Sequence, residues 1–144
     1  MDFTGKTAVV AYACAAITLM ILDVAWLNAV MGPLYQAELG EMIRAEPSFA
    51  PSAVFYLLYG VGIVVFAIIP GVDSTSLLRA GLLGGFLGLL AYGSSDLNNL
   101  ATLKQWPLSL AVLNIAWGTF VTAVAAVSGT AAVMAMGRRA LVLR

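Results

Sequence analysis

The sequence predicts an all-α integral membrane protein with four transmembrane helices and a short amphipathic interfacial helix between helices 1 and 2. Hydrophobic residues make up 62% of its 144 residues, whereas charged residues make up only 10%. A soluble domain carries roughly 25% charged residues, so this chain cannot cover a water-exposed surface. Four apolar stretches approach or exceed the roughly 20 residues that cross a bilayer, and Pro, Gly or polar turns separate them.

The composition also limits the function. Seven basic and seven acidic residues balance, and no basic block indicates a nucleic-acid partner. His is absent, which removes the commonest metal ligand and the usual general base, so we expect no metal and no cofactor. The single Cys14 is interpreted as a small apolar residue in a helix. We therefore expect a single membrane domain over 1–144, with the lipid bilayer as its main partner.

The first transmembrane helix is predicted over about 7–31, with Gly32-Pro33 ending it. Asp23 interrupts its apolar sequence and lies three residues before Trp26, which puts both on one helical face. The next segment, 34–45, has apolar residues at helical spacing with Glu and Arg away from them. It is too short and too charged to span, so it is predicted to lie in the membrane interface.

The second helix is predicted over about 52–69, between the prolines Pro47 and Pro51 and the stop Pro70-Gly71. The polar residues 73–76 form a short turn with good N-cap candidates, so helices 2 and 3 should be antiparallel neighbours. The third helix is predicted over about 77–98. It either continues through Asp96 or breaks at the Gly and Ser residues before it.

Glycine recurs at every fourth position along the third helix, in two overlapping GxxxG patterns. Such a face lets a neighbouring helix approach closely, and the neighbour is either in the same chain or in a second copy. The second option makes this face a candidate homo-oligomer interface. Its residues are Gly81, Gly84, Gly85 and Gly88.

The fourth helix is predicted over about 107–136, beginning at Pro107. Basic residues favour one side of the membrane, since only Arg44 and Lys104 fall on the other. The positive-inside rule then places both termini in the cytoplasm of a bacterium, with the protein in its inner membrane. The residues on the favoured side are Lys6, Arg79, Arg138, Arg139 and Arg144.

Polar and aromatic side chains from all four helices fall in the outer half of the membrane. Asp23 and Asp96 each lie about 25 Å from the inner face at 1.5 Å per helical residue. Ionisable residues at such depth are costly and mark candidate sites. The alternative is a structural network of helix-to-helix hydrogen bonds, with the tryptophans as interface anchors. The predicted ligand-binding residues are Asp23, Trp26, Tyr56, Tyr59, Tyr92, Asp96, Asn99, Asn114 and Trp117.

An internal similarity links the first and last helices. The segments 22–26 (LDVAW) and 113–117 (LNIAW) share one pattern on helices that run in opposite directions. A pair of this kind is the pattern that a relic of an inverted repeat would leave.

The motifs LDxAWL, LYQAELG, FYLLYGxG, DLNNLATLKQWP and IAWG resemble a bacterial family of small four-helix membrane proteins, domain of unknown function 2177. The resemblance covers almost the whole chain and implies the fold and a site, but no activity. Two departures stand out: the family usually has an acid at Asn114 and a Thr-Tyr-like pair at Ser94-Ser95. The positions that the resemblance marks are Asp23, Trp26, Tyr35, Gly40, Phe55, Tyr56, Tyr59, Asp96, Leu97, Asn99, Ala101, Thr102, Trp106, Pro107, Trp117 and Gly118.

Three functions remain open from the sequence. The first is a protein that binds or carries a small amphiphile or lipid in an outer-leaflet pocket, with a transporter-like homodimer as a variant. The second is a membrane enzyme acting on a lipid-like substrate, with Asp96 as general acid or base. No nucleophile–base pair or phosphate loop supports it. The third is an accessory subunit that uses the glycine face. The sequence does not decide whether the protein is an enzyme.

Overall fold

The computed structural model describes residues 3–46 and 48–142, with side chains as far as Arg138. Four helices follow one another in the described ranges: α1 (Gly5–Met42), α2 (Phe49–Asp73), α3 (Leu77–Thr102) and α4 (Leu108–Val142). All four are long and apolar enough to cross a membrane, which confirms the predicted fold class. The predicted roles of Pro47, Arg139 and Arg144 fall outside the residues and side chains described.

Helix α1 runs through the predicted stop at Gly32-Pro33. Its α-helical part Gly5–Trp26 passes into a π-helical turn, Leu27–Met31, and then into a second α-helical part, Gly32–Leu39. The Gly32 N–H donates to the Leu27 carbonyl, five residues back. Proline lacks an N–H and clashes with the carbonyl four residues before it, and the wider turn accommodates this defect. The predicted interfacial segment 34–45 is thus a continuation of α1 as far as Met42.

Helix α2 also contains a π turn before a proline. Its π-helical turn Val64–Ile68 comes immediately before Ile69 and Pro70, and the Ile69 N–H donates to the Val64 carbonyl. The helix therefore continues to Asp73 instead of stopping at Pro70-Gly71 as predicted. In both helices a proline that should end the helix is preceded by a π turn that carries the helix past it.

A short turn, residues 74–76, joins α2 to α3. The Ser76 side chain accepts a hydrogen bond from the Arg79 N–H at 3.2 Å and caps the start of α3. Helix α3 has no break at Gly93, so it continues through Asp96 to Thr102. Helix α4 extends beyond the predicted end at 136 to Val142.

At the end of α1, Gly40 adopts a φ of 45°, a conformation that favours glycine and ends the α-helical hydrogen bonding.

Small residues hold the helices together. The glycine face of α3 packs against α4 of the same chain, where a β-carbon added at Gly84 would lie 2.6 Å from the Ala126 Cβ. One added at Gly88 would collide with the Gly118 carbonyl. Because α4 already covers Gly84 and Gly88, this face is not free for the homo-oligomer considered from the sequence.

The outward faces of the helices are apolar. Leu58, Leu78 and Leu82 are 68%, 72% and 66% exposed. Apolar side chains on the outside of a helix bundle are suited to contact with lipid chains. In lipid every backbone polar group must be paired within the protein, and a helix pairs these groups internally. The bundle itself is filled mainly by Ala, Ile and Val from α1, α2 and α4.

Candidate functional site

A cavity of about 750 Å³ lies between α1 and α2, with residues of α3 and α4 forming its inner wall. Pockets for small molecules typically measure about 300–1,000 Å³. Side chains on its outer rim are exposed, including Met20 at 55%, Leu27 at 51% and Phe49 at 81%. The cavity therefore opens onto the apolar outer surface of the bundle. Six predicted site residues line it: Asp23, Trp26, Tyr56, Tyr92, Asn114 and Trp117.

Asp23 is the polar centre of this cavity. Its Oδ1 accepts a hydrogen bond from the Trp117 Nε1 at 2.7 Å, and its Oδ2 accepts one from the Tyr56 hydroxyl at 2.8 Å. The carboxylate on α1 is thus held by donors from α4 and α2. The contact from Trp117 is short for an N–H donor and that from Tyr56 has the usual length for a hydroxyl donor; both leave further acceptor positions on the two oxygens.

A pair of tryptophans forms the wall beside Asp23. The rings of Trp26 and Trp117 are parallel within 2°, with their centroids 4.4 Å apart. These are the two tryptophans of the LDVAW and LNIAW segments. Their hydrogen bonding differs, because Trp117 donates to Asp23 whereas the buried Nε1 of Trp26 has no partner in the described part of the chain. An unpaired buried donor costs about 1–3 kcal/mol.

Asp96 lies in a second polar cluster. Its side chain is 1% exposed, and it accepts hydrogen bonds from the Trp106 Nε1 at 3.3 Å and the Asn114 Nδ2 at 3.1 Å. Asn114 also donates to the Tyr35 hydroxyl at 3.2 Å. Asn114 and Tyr35 line the cavity, but Asp96 does not. The two carboxylates, predicted to share one pocket, are therefore separated by a layer of polar side chains.

The remaining predicted residues, Tyr59 and Asn99, lie outside the cavity wall. The Tyr59 hydroxyl is 2.8 Å from the Thr122 hydroxyl, and its ring contacts the Tyr92 ring edge to face at 6.3 Å. Asn99 lies one turn beyond Asp96 on α3 and is partly exposed. Neither Tyr59 nor Asn99 lines the cavity, so the structure brings six of the nine predicted residues to one surface.

Several lining residues were outside the predicted site. The interfacial assignment of 34–45 separated Tyr35 from Asp23, and a continuous α1 was needed to join them. The residues at the start of α2 carry no charge, and all of them except Ser52 are apolar. The further lining residues are Met20, Val24, Leu27, Met31, Tyr35, Phe49, Pro51, Ser52, Ala53 and Phe55.

No cluster of three or more His, Cys, Asp or Glu side chains is placed to hold a metal ion within 3–46 and 48–138. The arrangement offers a carboxylate, hydroxyl and amide groups, and aromatic faces. Such groups can orient a small molecule by hydrogen bonds and ring contacts.

The fold and the cavity define a multi-pass membrane protein with four helices and a cavity that opens onto their apolar outer surface. The chain matches the family model described as "Predicted membrane protein (DUF2177)" over residues 8–131. It belongs to this family, which confirms the resemblance seen in the sequence. No protein with a curated description and no solved structure matches the chain.

Proposed function

We propose that this protein binds or carries a small amphiphile or lipid-like molecule in the cavity between α1 and α2. The observation that carries this proposal is the cavity itself, whose wall ranges from polar to apolar. Asp23 lies on its inner side, and exposed apolar side chains such as Leu27 and Phe49 form its rim. A molecule with a polar head and an apolar chain is complementary to both parts.

The alternatives have less support. Asp96 is 1% exposed, and Trp106 and Asn114 already donate to it, so a substrate in the cavity has no direct access to it as an acid or base. The glycine face that suggested a homodimer or an accessory subunit is covered by α4 of the same chain. Ligand binding therefore has the most support among the three functions.

We also propose that both termini lie in the cytoplasm of a bacterium and that the cavity lies in the outer half of its inner membrane. Lys6, Arg79 and Arg138 are at one end of the bundle, whereas Arg44 and Lys104 are at the other. This imbalance supports the orientation through the positive-inside rule.

The orientation is tested with single cysteines in a Cys14→Ala background. A cysteine at Ser48 or Gln105 should react with an impermeant maleimide added to intact cells. A cysteine at Ser74, in the turn between α2 and α3, should react only after the cells are opened. The opposite labelling pattern would place the cavity in the cytoplasmic half of the membrane.

Binding is tested by filling the cavity. Ala53 lies on its wall, so Ala53→Trp should exclude a ligand, whereas Ala116→Trp is a matched change at an exposed position of α4 outside it. The probe is lipid from nanodiscs of phosphatidylethanolamine and phosphatidylglycerol, detected by native mass spectrometry. We expect the parent and Ala116→Trp to retain one lipid per chain and Ala53→Trp to lose it. Equal retention in all three proteins, or none in the parent, would contradict the proposal.

A further inference from the structure

The charge of the cavity is unbalanced. Asp23 is the only acidic residue among the described residues that line it, and none of them is Lys or Arg. The neighbours of its carboxylate, Trp117 and Tyr56, are neutral donors, so they orient the carboxylate without neutralising it. An uncompensated charge at membrane depth is costly, and a positive group placed next to it would lower that cost. The cavity therefore favours a cation over an anion.

The aromatic walls favour the same charge. Trp26, Phe55, Tyr56, Tyr92 and Trp117 surround the cavity on several sides. The faces of aromatic rings carry partial negative charge and attract a cation within about 6 Å of the ring centre, Trp most strongly. Trp26 and Trp117 cover one face of each other, and the other lining rings are beside the same carboxylate. Aromatic rings beside a carboxylate are suited to amines and quaternary ammonium groups.

The outer part of the cavity indicates the rest of the ligand. Beyond Asp23 the rim is formed by Met20, Val24, Leu27 and Phe49, all of which are more than half exposed. These side chains lie on the apolar outer surface of the bundle. A chain attached to the head group can leave the cavity over this rim and stay in an apolar environment throughout.

From the single carboxylate, the aromatic walls and the apolar rim, we infer that the ligand is a lipophilic cation. It is an amphiphile whose protonated amine or quaternary ammonium head lies against Asp23, between Trp26 and the aromatic residues of α2. This inference rests on the proposed binding function and specifies the chemical class of the ligand.

The test compares three tritiated probes with the same chain: hexadecyltrimethylammonium, hexadecanol and hexadecyl sulfate. Saturable binding to the purified full-length protein is measured by scintillation proximity in neutral maltoside micelles, where no charged lipid surface is present. We expect the cation to bind on the order of tenfold more tightly than the neutral probe, and the anion most weakly. In Asp23→Asn, which keeps a similar side-chain shape, the cation should bind no more tightly than hexadecanol.

Two further variants complete the design. Asp73→Asn removes an exposed acid at the end of α2, outside the cavity, so it should keep the parental preference for the cation. Trp26→Leu removes one aromatic wall at a side chain whose Nε1 has no bond to lose, so it should reduce that preference even if Asp23→Asn does not fold.

The outcomes separate the two proposals. If the parent binds hexadecanol as tightly as the cation, the cation inference fails while the binding function stands. If a folded Asp23→Asn keeps the preference, or if Trp26→Leu leaves it unchanged, the inference also fails. If none of the three probes binds the parent, both proposals fail.

Discussion

The carboxylates of Asp23 and Asp96 differ in their surroundings. Asp23 is partly buried on the wall of an open cavity and is held by Trp117 and Tyr56. Asp96 is 1% exposed and is held by Trp106 and Asn114. Each accepts one indole N–H and one further donor, so the number of hydrogen bonds does not distinguish them. Access distinguishes them, because only Asp23 faces space that another molecule can enter.

The largest expected effect is a difference in the free energy of unfolding between the variants that lose Asp96 and Asp23. Asp96→Ala leaves the donors of Trp106 and Asn114 unpaired in a closed site, which should lower the free energy of unfolding by about 3 kcal/mol. Asp23→Ala should cost only about 1 kcal/mol, because its donors face an open cavity. Unfolding by SDS in mixed micelles gives both values. Equal costs, or a larger cost for Asp23→Ala, would mean that access does not separate the two sites.

A second prediction concerns the packing that positions Asp96. Gly88→Ala places a methyl group against the backbone of Gly118 and should force α3 away from α4, with a loss of about 2 kcal/mol. Gly85→Ala is the matched control on the same face, since its β-carbon would lie 3.7 Å from its nearest neighbours. It should be nearly neutral in the same unfolding measurement. Similar values for the two variants would show that the helices are not in close contact at Gly88.

The smallest effect isolates one hydrogen bond of Asp23. Trp117→Phe and Trp26→Phe remove the same atoms from the two stacked rings, but only Trp117 donates to a carboxylate. Trp117→Phe loses that bond, whereas Trp26→Phe removes an unpaired buried donor, so Trp117→Phe should cost about 1 kcal/mol more in the free energy of unfolding. A difference near zero would mean that neither the bond to Asp23 nor the unpaired donor of Trp26 changes the net stability.

Much of the fold could be predicted because apolar length and glycine spacing act locally. The four spans follow from hydropathy, and the close packing along Gly84 and Gly88 follows from the GxxxG spacing. The stops at Pro33 and Pro70 were predicted wrongly, since the rule that proline ends a helix omits the π turn. Nothing in single-residue propensity reports a turn whose hydrogen bonds reach five residues back.

The candidate site was predicted in part. Depth along each helix correctly grouped Asp23 with Trp117 and Tyr56, because helical rise converts residue number into height. Height does not give the direction in which a side chain points, so Asp96 was grouped with Asp23 although it faces Asn114 and Trp106 on the far side of the polar layer. The partners of Asp96 depend on how α3 rotates against α4, which a single sequence does not encode in its periodicity.

The π turn in α1 has a geometrical consequence for the cavity. A π turn holds about one residue more than an α-helical turn, so everything after it is rotated by about 100° relative to an unbroken helix. Because of this extra residue, Met31 and Tyr35 point from the helix axis in the same direction as Asp23 and Trp26, and they line the cavity. An unbroken α-helix through the same residues would swing Tyr35 by about 100° away from Asn114. The π turn between Trp26 and Pro33 is therefore as much a part of the site as the side chains on its wall.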